Sequence, residues 1–205
     1  MSLFPIFVKL QGRLVVVVGG GSVAEGKIAG LLAAGARVRV ISPAITPAFA
    51  EWVRDRKIDW LPKVFEPGDL KGAYLAIAAT SAPGVNDAVF QEAEAHGILC
   101  NAVDDIEHCH FYYGAVVQRG DLQIAISTNG KSPALAQRLR QELEGQFGPE
   151  YEVWLEWLGA AREVIRGSAA DPEANKKILH QLASRPAFEQ FLREARLPAQ
   201  RKGAA

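Results

Sequence analysis

The chain has 205 residues, is 49% hydrophobic, and carries 23 Lys plus Arg against 23 Asp plus Glu. That composition suits a packed core and excludes a disordered chain, and the zero formal charge removes a global attraction to nucleic acid or to an anionic membrane. The two cysteines, Cys100 and Cys109, form neither a CxxC pair nor a disulfide framework, so a reducing, cytoplasmic setting is expected. Met1 to Arg13 shows no cleavable apolar segment, and Leu14 to Val18 is far shorter than the roughly 20 residues of a bilayer span, so no membrane contact is expected.

Taken in chain order, Leu14 to Val18 is a continuous β-branched run, the pattern of a strand buried on both faces of a parallel sheet. A glycine loop follows, then Ala24, Ile28, Leu31 and Leu32 at helical spacing, a stop at Gly35, and a second strand from Arg37 to Ile41. Strand, glycine turn, helix and strand within about 30 residues make one βαβ unit. Thr46-Pro47 reads as a helix start, Ile58 to Leu61 as a third strand and Tyr74 to Ala79 as a fourth. Val85, Val89 and Ala93 line the next helix, and Ile98 to Val103 is a fifth strand. The alternation predicts a mostly parallel, doubly wound α/β Rossmann sheet over residues 1–113.

Past residue 113 the pattern changes. Ala115 to Gln118 and Leu122 to Ile126 flank Arg119-Gly120-Asp121, which predicts a hairpin, and Ser132-Pro133 caps a helix bearing Leu135, Leu139 and Leu143. Residues 114–147 therefore read as a hairpin and helix, and residues 148–205 as a helical domain. Trp154, Leu158, Ala161 and Ile165 share a face there, Asp171-Pro172 and Ser184 with Pro186 start two further helices, and Pro198 to Ala205 is a loose tail.

The loop chemistry is the sharpest local signal. Gly19-x-Gly21-x-x-Ala24 matches G-x-G-x-x-G/A, where the first glycine permits the tight turn, the second lets backbone approach a pyrophosphate, and the third small residue packs helix on strand. Amides at the helix start bind the phosphates. Gly19, Gly20, Gly21, Ser22, Val23 and Ala24 are thus cofactor-binding candidates. Ser42, Pro43 and Ala44 after the second strand and Thr80 after the fourth complete that set. An acidic residue that would hold the ribose hydroxyls is missing, since the second strand ends in Ser42-Pro43, so the loop itself does not separate NAD from NADP. Arg37 and Arg39 could suit a 2′-phosphate, although arginines within a strand more often face solvent.

A further cluster, Cys100-Asn101-Ala102-Val103-Asp104-Asp105, falls at the carboxyl end of the fifth strand, the edge where open α/β sheets bind ligands. Together with Phe4-Pro5-Ile6-Phe7, Val18 to Ala24, Ile77-Ala78-Ala79-Thr80 and Ser127 to Ala136, it resembles the precorrin-2 dehydrogenase family, the dehydrogenase/ferrochelatase part of siroheme synthases. The matching pieces occur in family order across about the first 145 residues. The resemblance implies a homodimeric enzyme that oxidises the tetrapyrrole precorrin-2 to sirohydrochlorin with NAD as hydride acceptor. Some members also insert Fe²⁺, which leaves ferrochelatase as an open second activity. The Ala115 to Gly145 region would pair the subunits, and the helical tail would help enclose the tetrapyrrole. The length leaves no room for a fused methyltransferase, so a stand-alone enzyme is expected.

Asp104 is the catalytic candidate. A positioned carboxylate can accept the protons lost in dehydrogenation or chelation, and the resemblance places the family's catalytic aspartate here; an Asp in a turn can equally be a cap. Asn101, Lys131, Ser132 and Arg138 are substrate-binding candidates, because a polycarboxylate substrate needs local cations on a neutral protein. A solvated helix face explains Lys131, Arg138 and Arg140 equally well. His108-Cys109-His110 fits no standard zinc spacing and no metal site is expected. Phe111, Tyr112 and Tyr113, like Trp154 and Trp157, suit either a macrocycle pocket or plain core. Two competing readings stand beside the enzyme: an NAD(H)-sensing regulatory module without redox chemistry, and a chelatase that has lost dehydrogenation.

Overall fold

The computed structural model describes residues 3–168 and 171–195. The expected tail from Pro198 lies outside them. The chain divides into two compact units, with the boundary between Tyr113 and Gly114.

The first unit is a parallel five-stranded sheet with helices on both faces. Its strands are β1 (Leu14–Val18), β2 (Arg37–Ile41), β3 (Ile58–Leu61), β4 (Leu75–Ala78) and β5 (Leu99–Ala102), in the spatial order β3-β2-β1-β4-β5. The helices are α1 (Ser22–Ala33), α2 (Pro47–Arg54) and α3 (Val85–His96). The β-branched run of β1 is explained by its central place. Val15 and Val17 face a core with Ile28 and Leu31 of α1 and Phe49 of α2, while Val16 and Val18 face the opposite core with Val89 and Ala93 of α3. Each of these four valines is almost fully buried, which stabilises the sheet by about 1.5–3 kcal/mol per side chain. Sequence and structure differ at α2. Thr46 sits at the N-cap position with extended backbone, yet its hydroxyl makes no cap bond and donates to Glu25 of α1.

In the second unit, β6 (Ala115–Arg119) and β7 (Leu122–Ile126) form an antiparallel hairpin across the two-residue loop Gly120-Asp121, where Gly120 has φ +56°. Helices α4 (Pro133–Gln146) and α5 (Glu150–Gly167) pack on the hairpin, and α6 (Pro172–Leu182) and α7 (Arg185–Glu194) pack on α5. Three of the four helices start on side-chain caps. Ser132 accepts from the Leu135 amide, Asp171 from that of Ala174 and Ser184 from that of Ala187. The face of α5 expected to pack does so: Trp154 is buried against Tyr151 and Phe188, and Leu158, Ala161 and Ile165 are half-buried. On α4 the buried residue is Ala136, whereas Leu135 is exposed.

Candidate active site

The carboxyl edge of the sheet collects the candidates of the first unit. The chain leaves β1 at Gly19, whose φ of +123° only glycine adopts readily. A Cβ there would lie 2.2 Å from the Ala79 carbonyl oxygen at the end of β4. A Cβ at Gly20 would lie 2.2 Å from the Ala44 oxygen, and the Gly20 carbonyl accepts from the Thr46 amide at 3.1 Å. These two glycines are therefore required by the protein itself. Gly21 is different. It is the N-cap of α1, its backbone is extended, and a Cβ there would meet nothing within 4 Å. The space above Gly21 is open to a ligand, and the amides of Ser22 and Val23, both exposed, have no helical acceptor in that first turn. Ala24 is fully buried and seats the helix on the sheet.

The neighbouring strand ends frame this loop. Ser42 is buried, its hydroxyl donates to the Ala44 carbonyl at 2.7 Å, and its own carbonyl accepts from the Trp60 indole at 2.9 Å. Pro43 and Ala44 are exposed beside it. Thr80 is half-buried and tied to Asn86, whose side-chain oxygen accepts from the Thr80 amide and whose NH₂ donates to the Thr80 carbonyl. The sheet order reverses between β1 and β4, so the loop and Thr80 flank the switch point at which doubly wound sheets take ligands. Arg37 is exposed and Arg39 half-buried, and both lie along β2 rather than at its carboxyl end.

Asp104 lies two residues beyond β5, exposed, with φ +62°. Left-handed backbone in a non-glycine residue is uncommon and clusters at functional sites. The segment after it folds back on β5. Asn101 is buried, and its side-chain NH₂ donates to the Phe111 carbonyl at 2.9 Å and to the Cys109 sulfur at 3.3 Å. Cys109 donates to the carbonyls of Ala102 and Asp105, and His110 accepts the Cys100 amide at Nδ1 and meets Glu94 at Nε2. Burial raises the Cys109 thiol and pushes Cys100 up to about 12, so neither is a thiolate at neutral pH.

Lys27 carries no motif signal, yet the fold brings it beside Asp104. It is half-buried on α1 with Nζ 4.0 Å from the centre of the Tyr113 ring. Burial pulls its ammonium below the usual lysine range, opposed by the Asp104 carboxylate. Only folding could reveal this, because α1 and the β5 end are far apart in sequence. In the second unit Lys131 is exposed, Ser132 is committed to the α4 cap, and Arg138 pairs with Glu142 at 3.2 Å on the helix surface.

The family described as "Putative NAD(P)-binding" matches residues 6–115. The chain belongs to that family. A second family, "Sirohaem biosynthesis protein central", matches residues 119–146. The chain is 38% identical to Siroheme synthase 1 of Aeromonas salmonicida over 94% of its own length, and 40% identical to a siroheme synthase of Neisseria meningitidis over 82%. It spans 41% and 35% of the lengths of those two relatives. Among solved structures, SirC, a precorrin-2 dehydrogenase, superposes with a TM-score of 0.77 at 25% identity, covering 95% of this chain and 99% of that one. The Rossmann fold and the NAD(P)-binding character expected from the sequence are thus both met. The residues of this family member fit a dinucleotide on local grounds too: the cleared space over Gly21 and the helix-start amides suit a pyrophosphate. Among the described residues no helix is long and apolar enough to cross a membrane.

Proposed function

We propose that the protein is an NAD-dependent precorrin-2 dehydrogenase that forms sirohydrochlorin on the route to siroheme. The observation that carries this is the placement of Asp104, strained and exposed, on the same sheet edge as a glycine loop cleared for a pyrophosphate. When bound, the nicotinamide cofactor supplies a hydride acceptor. The chain's own residues do the rest. Gly19 and Gly20 fold the loop, Gly21 admits the diphosphate, and the Ser22 and Val23 amides hold it. Ser42, Pro43, Ala44 and Thr80 border the rest of the dinucleotide. The Asp104 carboxylate, with Lys27 beside it, takes the proton released as the macrocycle loses its hydride. Asn101 on the first unit and, separately, Lys131, Ser132 and Arg138 on the second are the substrate-binding candidates. Arg138 can exchange its exposed Glu142 partner for a substrate carboxylate at little cost, since such surface pairs contribute about 0–1 kcal/mol.

Mixing protein, NAD⁺ and precorrin-2 should raise NADH absorbance above the spontaneous oxidation rate; no such rise would overturn the reading. If NADH binds but no tetrapyrrole does in a spectral titration, the protein is a nucleotide sensor instead. Insertion of Fe²⁺ as a second activity is supported by the siroheme synthase relatives, and sirohydrochlorin with Fe²⁺ or Co²⁺ in the absence of NAD tests it. The two free thiols support a cytoplasmic location. A homodimer is supported by the hairpin, whose two strands pair with no third strand among the described residues and expose Val116, which leaves strand edges that a second copy could pair with.

A further inference from the structure

We propose a divalent metal site, built from Asp87, Asp105 and His108, on the surface of the first unit. The three side chains come from two elements, the first turn of α3 and the segment that follows β5. His108 Nδ1 lies 2.6 Å from Asp105 Oδ2 and 3.6 Å from Asp87 Oδ1, and one donor atom from each residue falls within 4.8 Å of the other two. Donors at about 2.0–2.2 Å from one ion stand about 3–3.5 Å apart, so these atoms need shifts of an ångström or less to share it.

The histidine-cysteine-histidine run separates cleanly in the fold. Cys109 is turned inward on backbone carbonyls, and both nitrogens of His110 are engaged by Cys100 and Glu94. His108 alone turns towards carboxylates of two different elements. Its surroundings are set as those of a metal ligand are. Asp105 Oδ1 accepts the Glu107 and His108 amides, which fixes the carboxylate with Oδ2 directed at the imidazole. Phe90, one turn along α3 from Asp87, packs its ring on His108 at 4.8 Å. A hydrogen bond accounts for the Asp105 contact; the Asp87 carboxylate adds a third donor within reach of the same point, and a divalent ion would meet all three at once. One imidazole and two carboxylates suit a borderline first-row ion such as Fe²⁺ or Co²⁺ better than Cu⁺ or Mg²⁺, and three protein donors leave positions open for water or exchange. A use of this ion in metal insertion rests on the tetrapyrrole chemistry proposed above; the binding itself does not.

The test uses the full chain and Co²⁺ alone, followed by the visible absorption of bound Co²⁺ and by equilibrium dialysis. The expected result is saturable binding of one ion per chain, weakened at least about tenfold by Asp87→Asn and likewise by His108→Gln, with NADH binding and far-UV circular dichroism unchanged in both. No saturable binding by the wild-type chain, or binding that survives either substitution, overturns the site. The precorrin-2 assay, run without metal, fails or succeeds independently of this result, so the two proposals are separable.

Discussion

The three glycines of the loop have different reasons to be glycine, and substitution should separate them. Gly19→Ala forces a Cβ into the Ala79 carbonyl on a backbone with φ +123°. A stability loss of about 2 kcal/mol or more is expected, read as a lower urea midpoint. Gly21→Ala meets no atom. It should fold within about 1 kcal/mol of wild type yet bind NADH at least about tenfold more weakly, measured by fluorescence titration. Equal binding by Gly21→Ala would remove the pyrophosphate from that space. At Asp104 the positive φ decides which variant is informative. Asn tolerates left-handed backbone where Ala does not, so Asp104→Asn removes the carboxylate with the turn intact. Turnover should fall by about 100-fold or more while NADH affinity holds; unchanged turnover would strip Asp104 of its role.

At the scale of elements, helix starts should give modest and uniform costs. Replacing Asp171 or Ser184 by Ala removes a cap bond and should cost about 1 kcal/mol each by denaturant unfolding. Ser132 combines a cap with a proposed substrate contact. Ser132→Asn should keep stability because Asn caps as well as Ser, so any rise in KM in that variant reports the substrate contact alone. The same elements show what sequence patterning carries. Periodicity and β-branching made β1 to β5 and the hairpin legible, and Ser132, Asp171 and Ser184 announced their helices, because those signals are local. The Thr46 hydroxyl bonded to Glu25 rather than to its own helix, because a partner from another element competed for it. Lys27 beside Asp104 and Asp87 beside His108 were invisible for the same reason: each pair is made by packing α1 or α3 against the segment after β5. Glycine spacing and the strand-end position of Asp104 point to the carboxyl edge of the sheet, but no spacing rule encodes a cross-element neighbour.

For the molecule as a whole, assembly is the first quantity to measure. The proposed homodimer predicts a light-scattering mass near twice that of the chain, and Val116→Lys on exposed β6 should shift it towards the monomer; a concentration-independent monomer would remove the hairpin from that role. The glycine loop also has a consequence in time. It is tied on three sides by the protein's own hydrogen bonds: the Gly19 amide donates to Ile41, the Gly20 carbonyl accepts from Thr46, and the Thr46 hydroxyl reaches Glu25 on the helix that the loop opens. A cradle tied into β2, α1 and the start of α2 has no ordering step left to perform. Stopped-flow mixing with NADH should therefore give a single exponential whose rate rises linearly with concentration, with no plateau that would betray a slow loop closure.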